Sequence, residues 1–208
     1  MHPFQQQRSF SPATTAQHQG ALIQHKVLPK CYVIGGVSGS GKSTVGRMLA
    51  TRLQCPFYEG DDYHPKANKG MPKANKDKMH SGVPLQDADR WPWLQTLANI
   101  IHQHIVRGEL AVVACSALKQ RYRDILSGQD EGSQHVNEVA FVLLQPSKDI
   151  LTQRVQQRAA EGMHFMPASL LESQLALMEV ASSAYRYDAQ PPSAIVDDLI
   201  ALRETEPH

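Results

Sequence analysis

The chain has 208 residues, with 21 Lys and Arg against 20 Asp and Glu and a formal net charge of +1. That length suits one α/β domain with a substantial core, and the near-neutral balance gives no general pull toward nucleic acid or an anionic membrane. No apolar stretch approaches the ~20 residues of a membrane-spanning helix. The three cysteines, Cys31, Cys55 and Cys115, lack C-x-x-C spacing, which implies reduced, buried thiols and a cytoplasmic protein.

Residues 1–30 differ in kind from the rest. They hold six Gln, Arg8, Lys26 and Lys30 but no acid, and the first carboxylate of the chain is Glu59. This composition reads as a disordered tail, with an organelle transit segment as the alternative. The folded domain is then expected over 31–208.

The apolar run Cys31-Tyr32-Val33-Ile34 reads as a buried strand. The segment Gly36-Val37-Ser38-Gly39-Ser40-Gly41-Lys42-Ser43 follows at once and fits G-x-x-x-x-G-K-[ST]. Val45, Met48, Leu49 and Leu53 then recur at helical spacing. Strand, glycine loop and helix together make a phosphate cradle: the loop curls its N–H groups inward and the helix adds its positive end. Residues 36–44 are the expected nucleotide-binding segment, with Thr44 closing it. Lys42 is placed for the outer phosphates and the Ser43 hydroxyl for Mg²⁺. A plain flexible turn is the alternative, and the Lys-Ser register argues against it.

A short strand at Pro56-Phe57-Tyr58 leads into Gly60-Asp61-Asp62-Tyr63-His64-Pro65. A helix is expected from near Pro92, with Leu94, Leu97, Ile101 and Ile105 on one face and Gly108 ending it. Leu110–Ala114 reads as a strand and Ala117–Leu126 as a helix. Val139–Leu144 is the next strand. Ser147 caps a helix to about Arg158, and Pro167 opens another through Met178. Ala194-Ile195-Val196 reads as a last strand. Alternating strands and helices imply a parallel sheet covered on both faces, with ligands at the carboxyl ends of its strands. One internal echo stands out: Pro65-Lys-Ala-Asn-Lys-Gly-Met71 is followed directly by Pro72-Lys-Ala-Asn-Lys. A single echo is a local duplication rather than a repeat fold.

Three clusters speak to a second ligand. Asp61, just after the second strand, is either an acid–base group for an acceptor hydroxyl or a turn aspartate. Arg90 opens a helix, where the macrodipole disfavours a cation; a bound anion offsets that cost, or a salt bridge to Asp87 does. Lys119 and Arg123, four apart, share a helix face beyond a strand end. They suit an anionic substrate or form a solvated charged face. Cys115 lies nearby, but phosphoryl transfer needs no protein nucleophile.

The set GVSGSGKST, GDDYHP, PLxDxDRxPWL, ACSALKxxYRDIL and the later HFMP closely resembles the gluconokinases, small ATP-dependent kinases of D-gluconate. The resemblance runs from about Tyr32 to Glu179. It implies a three-layer P-loop kinase fold, a parallel sheet of about five strands with helices on both faces and a small lid near residues 159–166. It implies transfer of the ATP γ-phosphoryl to the 6-hydroxyl of gluconate, giving 6-phosphogluconate. Asp61 matches the family's aspartate that orients and deprotonates that hydroxyl, and His64 its pocket histidine. Arg90, Lys119 and Arg123 match cations that grip the sugar acid. Arg guanidinium suits bidentate carboxylate recognition better than Lys, which favours Arg90 or Arg123 as the clamp. Arg154 and Arg158 match cations that neutralise the transferring group when the lid closes. ATP and Mg²⁺ are the implied cofactors and gluconate the small-molecule partner, with a homodimer plausible. The strand ending in Cys115-Ser116 lacks the expected aspartate, leaving Mg²⁺ to Ser43, the phosphates, water and Asp61. The PKANK duplication leaves Asn68 and Asn75 as alternatives for one family position. A kinase of another small acid such as shikimate, or a regulatory nucleotide switch, is the competing reading.

Overall fold

The computed structural model describes residues 28–63, 86–132, 136–161, 168–179, 181 and 183–205. The elements are β1 (Cys31–Gly35), α1 (Lys42–Leu53), β2 (Phe57–Glu59), α2 (Asp87–Arg107), β3 (Ala111–Ala114), α3 (Gln120–Ser127), β4 (Val139–Leu144), α4 (Lys148–Ala160), α5 (Ala168–Ala176), β5 (Tyr185–Tyr187) and α6 (Pro192–Thr205). The strands form one sheet in the order β2-β3-β1-β4-β5, with every pairing parallel.

The period-two geometry of the strands divides their side chains between two cores. Cys31, Val33, Ala111 and Val113 face α2 and α3, packing on Leu94, Leu97, Ile101 and Tyr122. Tyr32, Ile34, Val112 and Val142 face α1 and α6, packing on Val45, Leu49, Ile195 and Leu199. Both faces of the sheet are therefore covered, as the near-continuous apolar strands imply. A third cluster, Val37, Leu118, Leu151 and Leu171, joins the loops at the carboxyl end to α4 and α5.

Three boundaries differ from the sequence reading. The helix expected near Pro92 begins at Asp87, because Gln86 and Asp89 cap its first turn reciprocally. The helix expected from Ala117 begins at Gln120. Ala117 has φ 45° and Lys119 is an extended N-cap residue, so the chain between them is loop. Ala194-Ile195-Val196 is helical: Pro192 starts α6, and Ile195, Val196 and Leu199 form its buried face. The final strand is instead Tyr185–Tyr187, hydrogen-bonded to the edge of β4. The PKANK echo and the Met163–Pro167 segment lie outside the described residues.

Glycine at position 60 is a steric requirement. A Cβ there would stand 2.3 Å from Ala114 O, a backbone atom. The contact seats the turn after β2 against the end of β3, and Trp93 Nε1 donates to Gly60 O at 2.7 Å. Asp61 is thereby set beside the central strands. Gly60→Ala should lower the melting temperature by roughly 4–10 °C, as expected for overpacking in a domain of this size. Calorimetry checks this, and an unchanged midpoint would show that the turn yields freely.

Candidate active site

The site lies where β1 and β3 end, at the switch in strand order. Gly36 leaves β1 with φ 135°, and a Cβ on it would come within 2.6 Å of Leu144 O. Its N–H donates to Ser116 O at 3.0 Å, which ties the glycine loop to the loop after β3. The loop closes on itself through Ser40 N–H to Val37 O at 3.2 Å. Lys42 opens α1 and donates from Nζ to the same Val37 O at 3.0 Å. Ser40 Oγ is buried without a hydrogen-bond partner among the described residues, a polar group of the anion cradle that the protein leaves unsatisfied.

Arg154, on α4, reaches across this loop with Nη1 3.4 Å from both Gly39 O and Ser40 O. Arg158 follows one turn later on the same helix, but its side chain lies outside the described residues, as does His64 altogether. A cavity of about 250 Å³ runs from Gly39, Gly41 and Thr44 past Arg154 to Asp188 and Gln190. The 188–190 contribution escaped the sequence reading, because the loop belongs to the short β5 and carries no motif.

On the other side of β3, Lys119 Nζ donates to both carboxylate oxygens of Asp87, at 2.7 and 2.9 Å. Tyr122 Oη donates to Asp87 Oδ1 at 2.7 Å, and Arg90 Nη1 lies 3.4 Å from Tyr122 Oη. Both cations sit against the Tyr122 ring, Arg90 at 5.7 Å and Lys119 at 5.6 Å from its centroid. The two arms, one from α2 and one from the loop before α3, thus converge on one buried tyrosine. Asp87 pairs with Lys119, not with Arg90 as the salt-bridge alternative held. Hydrogen bonds from Lys119 and then Tyr122 hold the Asp87 carboxyl below its ordinary range. Burial, then the bond to Asp87, pushes the Tyr122 hydroxyl up to about 12. Asp61 is exposed in the turn before this group. The charges of Lys42, Asp61 and Arg90 all act on the thiol of Cys115, the residue after β3.

Arg123 departs from the sequence reading. It is 1% exposed and spends its guanidinium on the protein. Nη1 donates to Ala117 O at 2.8 Å and Leu118 O at 3.0 Å. Nη2 donates to Gln120 Oε1 at 3.0 Å and Glu179 O at 3.4 Å, and Nε donates to Gln120 Oε1 at 3.3 Å. Five donors find five acceptor contacts, so none remains for a substrate carboxylate. The shared face with Lys119 fails because Lys119 precedes the helix. Cys115 is equally unsuited to chemistry: burial pushes its thiol up to about 12, leaving it protonated at neutral pH.

Ser43, at the start of α1, offers one hydroxyl to a cation. Among the described residues no group of three or more His, Cys, Asp or Glu could hold a metal ion. A hydroxyl oxygen such as that of Ser43 fits a hard, oxygen-seeking ion that keeps most of its waters. Among the described residues, too, no helix is long and apolar enough to cross a membrane.

A family model described as an AAA domain matches residues 32–181. A gluconokinase from Gluconobacter oxydans (strain 621H) is 47% identical over 182 residues, covering 86% of this chain and 93% of its own. A gluconokinase from Arabidopsis thaliana is 41% identical over 160 residues, covering 75% and 81%. The crystal structure of a gluconokinase from Sinorhizobium meliloti 1021 superposes with a TM-score of 0.67 at 39% identity, covering 85% and 93%.

The Asp87 pairing has a pH signature. A carboxyl held below its ordinary value of 3.8 adds stability above that value and loses it as pH falls through the lowered one. Asp87→Asn should therefore melt below wild type at pH 7, and the gap should close as pH drops toward 3. Melting curves across pH check this; a gap constant with pH would remove the charge from the account.

Proposed function

Because the chain belongs to the gluconokinase family of P-loop kinases, we infer that its two half-sites carry out phosphoryl transfer from ATP to D-gluconate. The reaction phosphorylates the 6-hydroxyl and yields 6-phosphogluconate. The observation that carries this reading is the second, cation-lined half-site formed by Arg90 and Lys119 around Tyr122. A nucleotide switch has no need of such a pocket, and the relatives' common name does not favour shikimate.

In this reading, residues 36–44 hold the triphosphate, whose β- and γ-oxygens meet the loop N–H groups and the positive end of α1. The base lies along the cavity toward Asp188 and Gln190. Lys42, perched on Val37 O, extends its ammonium to the outer phosphates, and Arg154, already over Gly39 and Ser40, adds positive charge where the transition state gathers negative charge. Ser43 would hold Mg²⁺, which when bound would neutralise phosphate charge. Asp61 accepts the proton of the 6-hydroxyl and orients its oxygen in line with the γ-phosphorus. Arg90 is the bidentate partner of the carboxylate. Lys119 keeps one N–H beyond its two bonds to Asp87 for a hydroxyl of the polyol. For His64 and Arg158 this reading adopts the roles that the family resemblance implies, toward the sugar acid and toward the phosphates.

A coupled assay over gluconate, other sugar acids and shikimate tests the substrate. Turnover of gluconate is expected, and turnover of shikimate without gluconate would overturn it. Asp61→Asn should lower kcat by about 10²-fold or more, in line with general-base loss, with ATP affinity within twofold of wild type. Equal turnover would remove Asp61 from the chemistry.

A further inference from the structure

Ser38 N–H, in the phosphate loop, donates to Gln174 Oε1 of α5 at 2.8 Å, across 136 positions of sequence. The peptide unit joining Val37 to Ser38 is therefore held at both ends. Its carbonyl, Val37 O, accepts from Lys42 Nζ at 3.0 Å and Ser40 N–H at 3.2 Å. Its N–H is taken by Gln174. Only the amide oxygen of Gln174 can accept that bond, which fixes which way round the side-chain amide lies. A peptide held from one end alone is free to rotate about its flanking bonds, since φ and ψ are the soft torsions of the chain. Lys42 would then lose the perch that fixes its ammonium beside the loop.

The residue that supplies this hold is itself firmly mounted. Leu171 of α5 is 3% exposed and packs with Val37, Leu118 and Leu151. Three residues past Ala176, Glu179 is tied by main chain and side chain to the loop before α3. Its N–H donates to Leu118 O at 2.9 Å, its carbonyl accepts from Arg123, and its carboxylate accepts Gln120 N–H at 2.6 Å. Gln174 is thus presented by an arm braced on the donor side and the acceptor side of the site.

We propose that Gln174 is a positioning residue for phosphoryl transfer, which orients the Val37–Ser38 peptide and through it sets Lys42 at the outer phosphates. The proposal rests on the loop being the ATP site, and not on which acid is the acceptor. Gln174→Met keeps length and volume but replaces the amide oxygen with a thioether, a far weaker acceptor. Measured by calorimetry without acceptor, this variant should bind ATP roughly three- to tenfold more weakly, the scale of one lost hydrogen bond. In a Lys42→Met background the same change should have no further effect, since the two act in series. Its melting temperature should stay within a few degrees of wild type. Unchanged ATP affinity, an equal loss in both backgrounds, or a melting temperature lowered by more than about 5 °C would overturn the role. Wild-type protein that binds no ATP would instead overturn the reading beneath it.

Discussion

The buried guanidinium of Arg123 holds the acceptor side of this molecule together. Its five N–H groups close on Ala117 O, Leu118 O, Gln120 Oε1 and Glu179 O. Ala117 has φ 45°, a backbone state that costs about 1–3 kcal/mol in a residue other than glycine and persists only where its surroundings over-determine it. The two carbonyls clamped by Arg123 supply that determination. Once the loop is fixed, Lys119 emerges extended, meets Asp87, and lets α3 begin at Gln120. Tyr122 is then buried between Arg90 and Lys119. Arg123, the cation that looks most like a ligand group, is spent on the framework, while Arg90 and Lys119 beside it are only half-buried. Removing a buried charge's partners is expensive, so this framework is also hard to alter piecemeal.

The donor side depends on it through few links. Ser116 O accepts the Gly36 N–H, joining the loop after β3 to the loop after β1. Leu118 packs with Val37, and the arm containing Gln174 and Glu179 touches both loops. Gly60, pressed on Ala114 O, adds Asp61 from the third side. Each of these contacts has a backbone atom or a packed apolar side chain on at least one side. That rigidity is what phosphoryl transfer asks of a protein, because the chemistry itself is mostly positioning and charge.

The phosphate loop was legible in sequence because its chemistry is local: glycines, Lys42 and Ser43 act within one turn of chain. The parallel sheet was legible because Cys31–Ile34, Leu110–Ala114 and Val139–Leu144 are apolar on both faces. What was not legible came from distant partners. Tyr185–Tyr187 is a strand only because β4 offers an edge, and Ile195-Val196 reads as strand until Leu199 is seen to share the buried face. Lys119 and Arg123 are four apart, yet the helical neighbour rule holds only when both are in the helix, and Lys119 stands before it. In sequence Asp87 reads as a partner for Arg90, and nothing there tells that Lys119, 32 positions away, claims it. The likeness to gluconokinases names these residues without separating those that bind from those that brace.

That separation is the central claim, and a crystal structure with gluconate and a non-hydrolysable ATP analogue tests it most directly. The account requires Arg90 and Lys119 in contact with the acid, Asp61 within hydrogen-bond reach of the 6-hydroxyl, and all five Arg123 contacts intact. An Arg123 guanidinium turned onto the gluconate carboxylate, with Ala117 and Leu118 released, would contradict it.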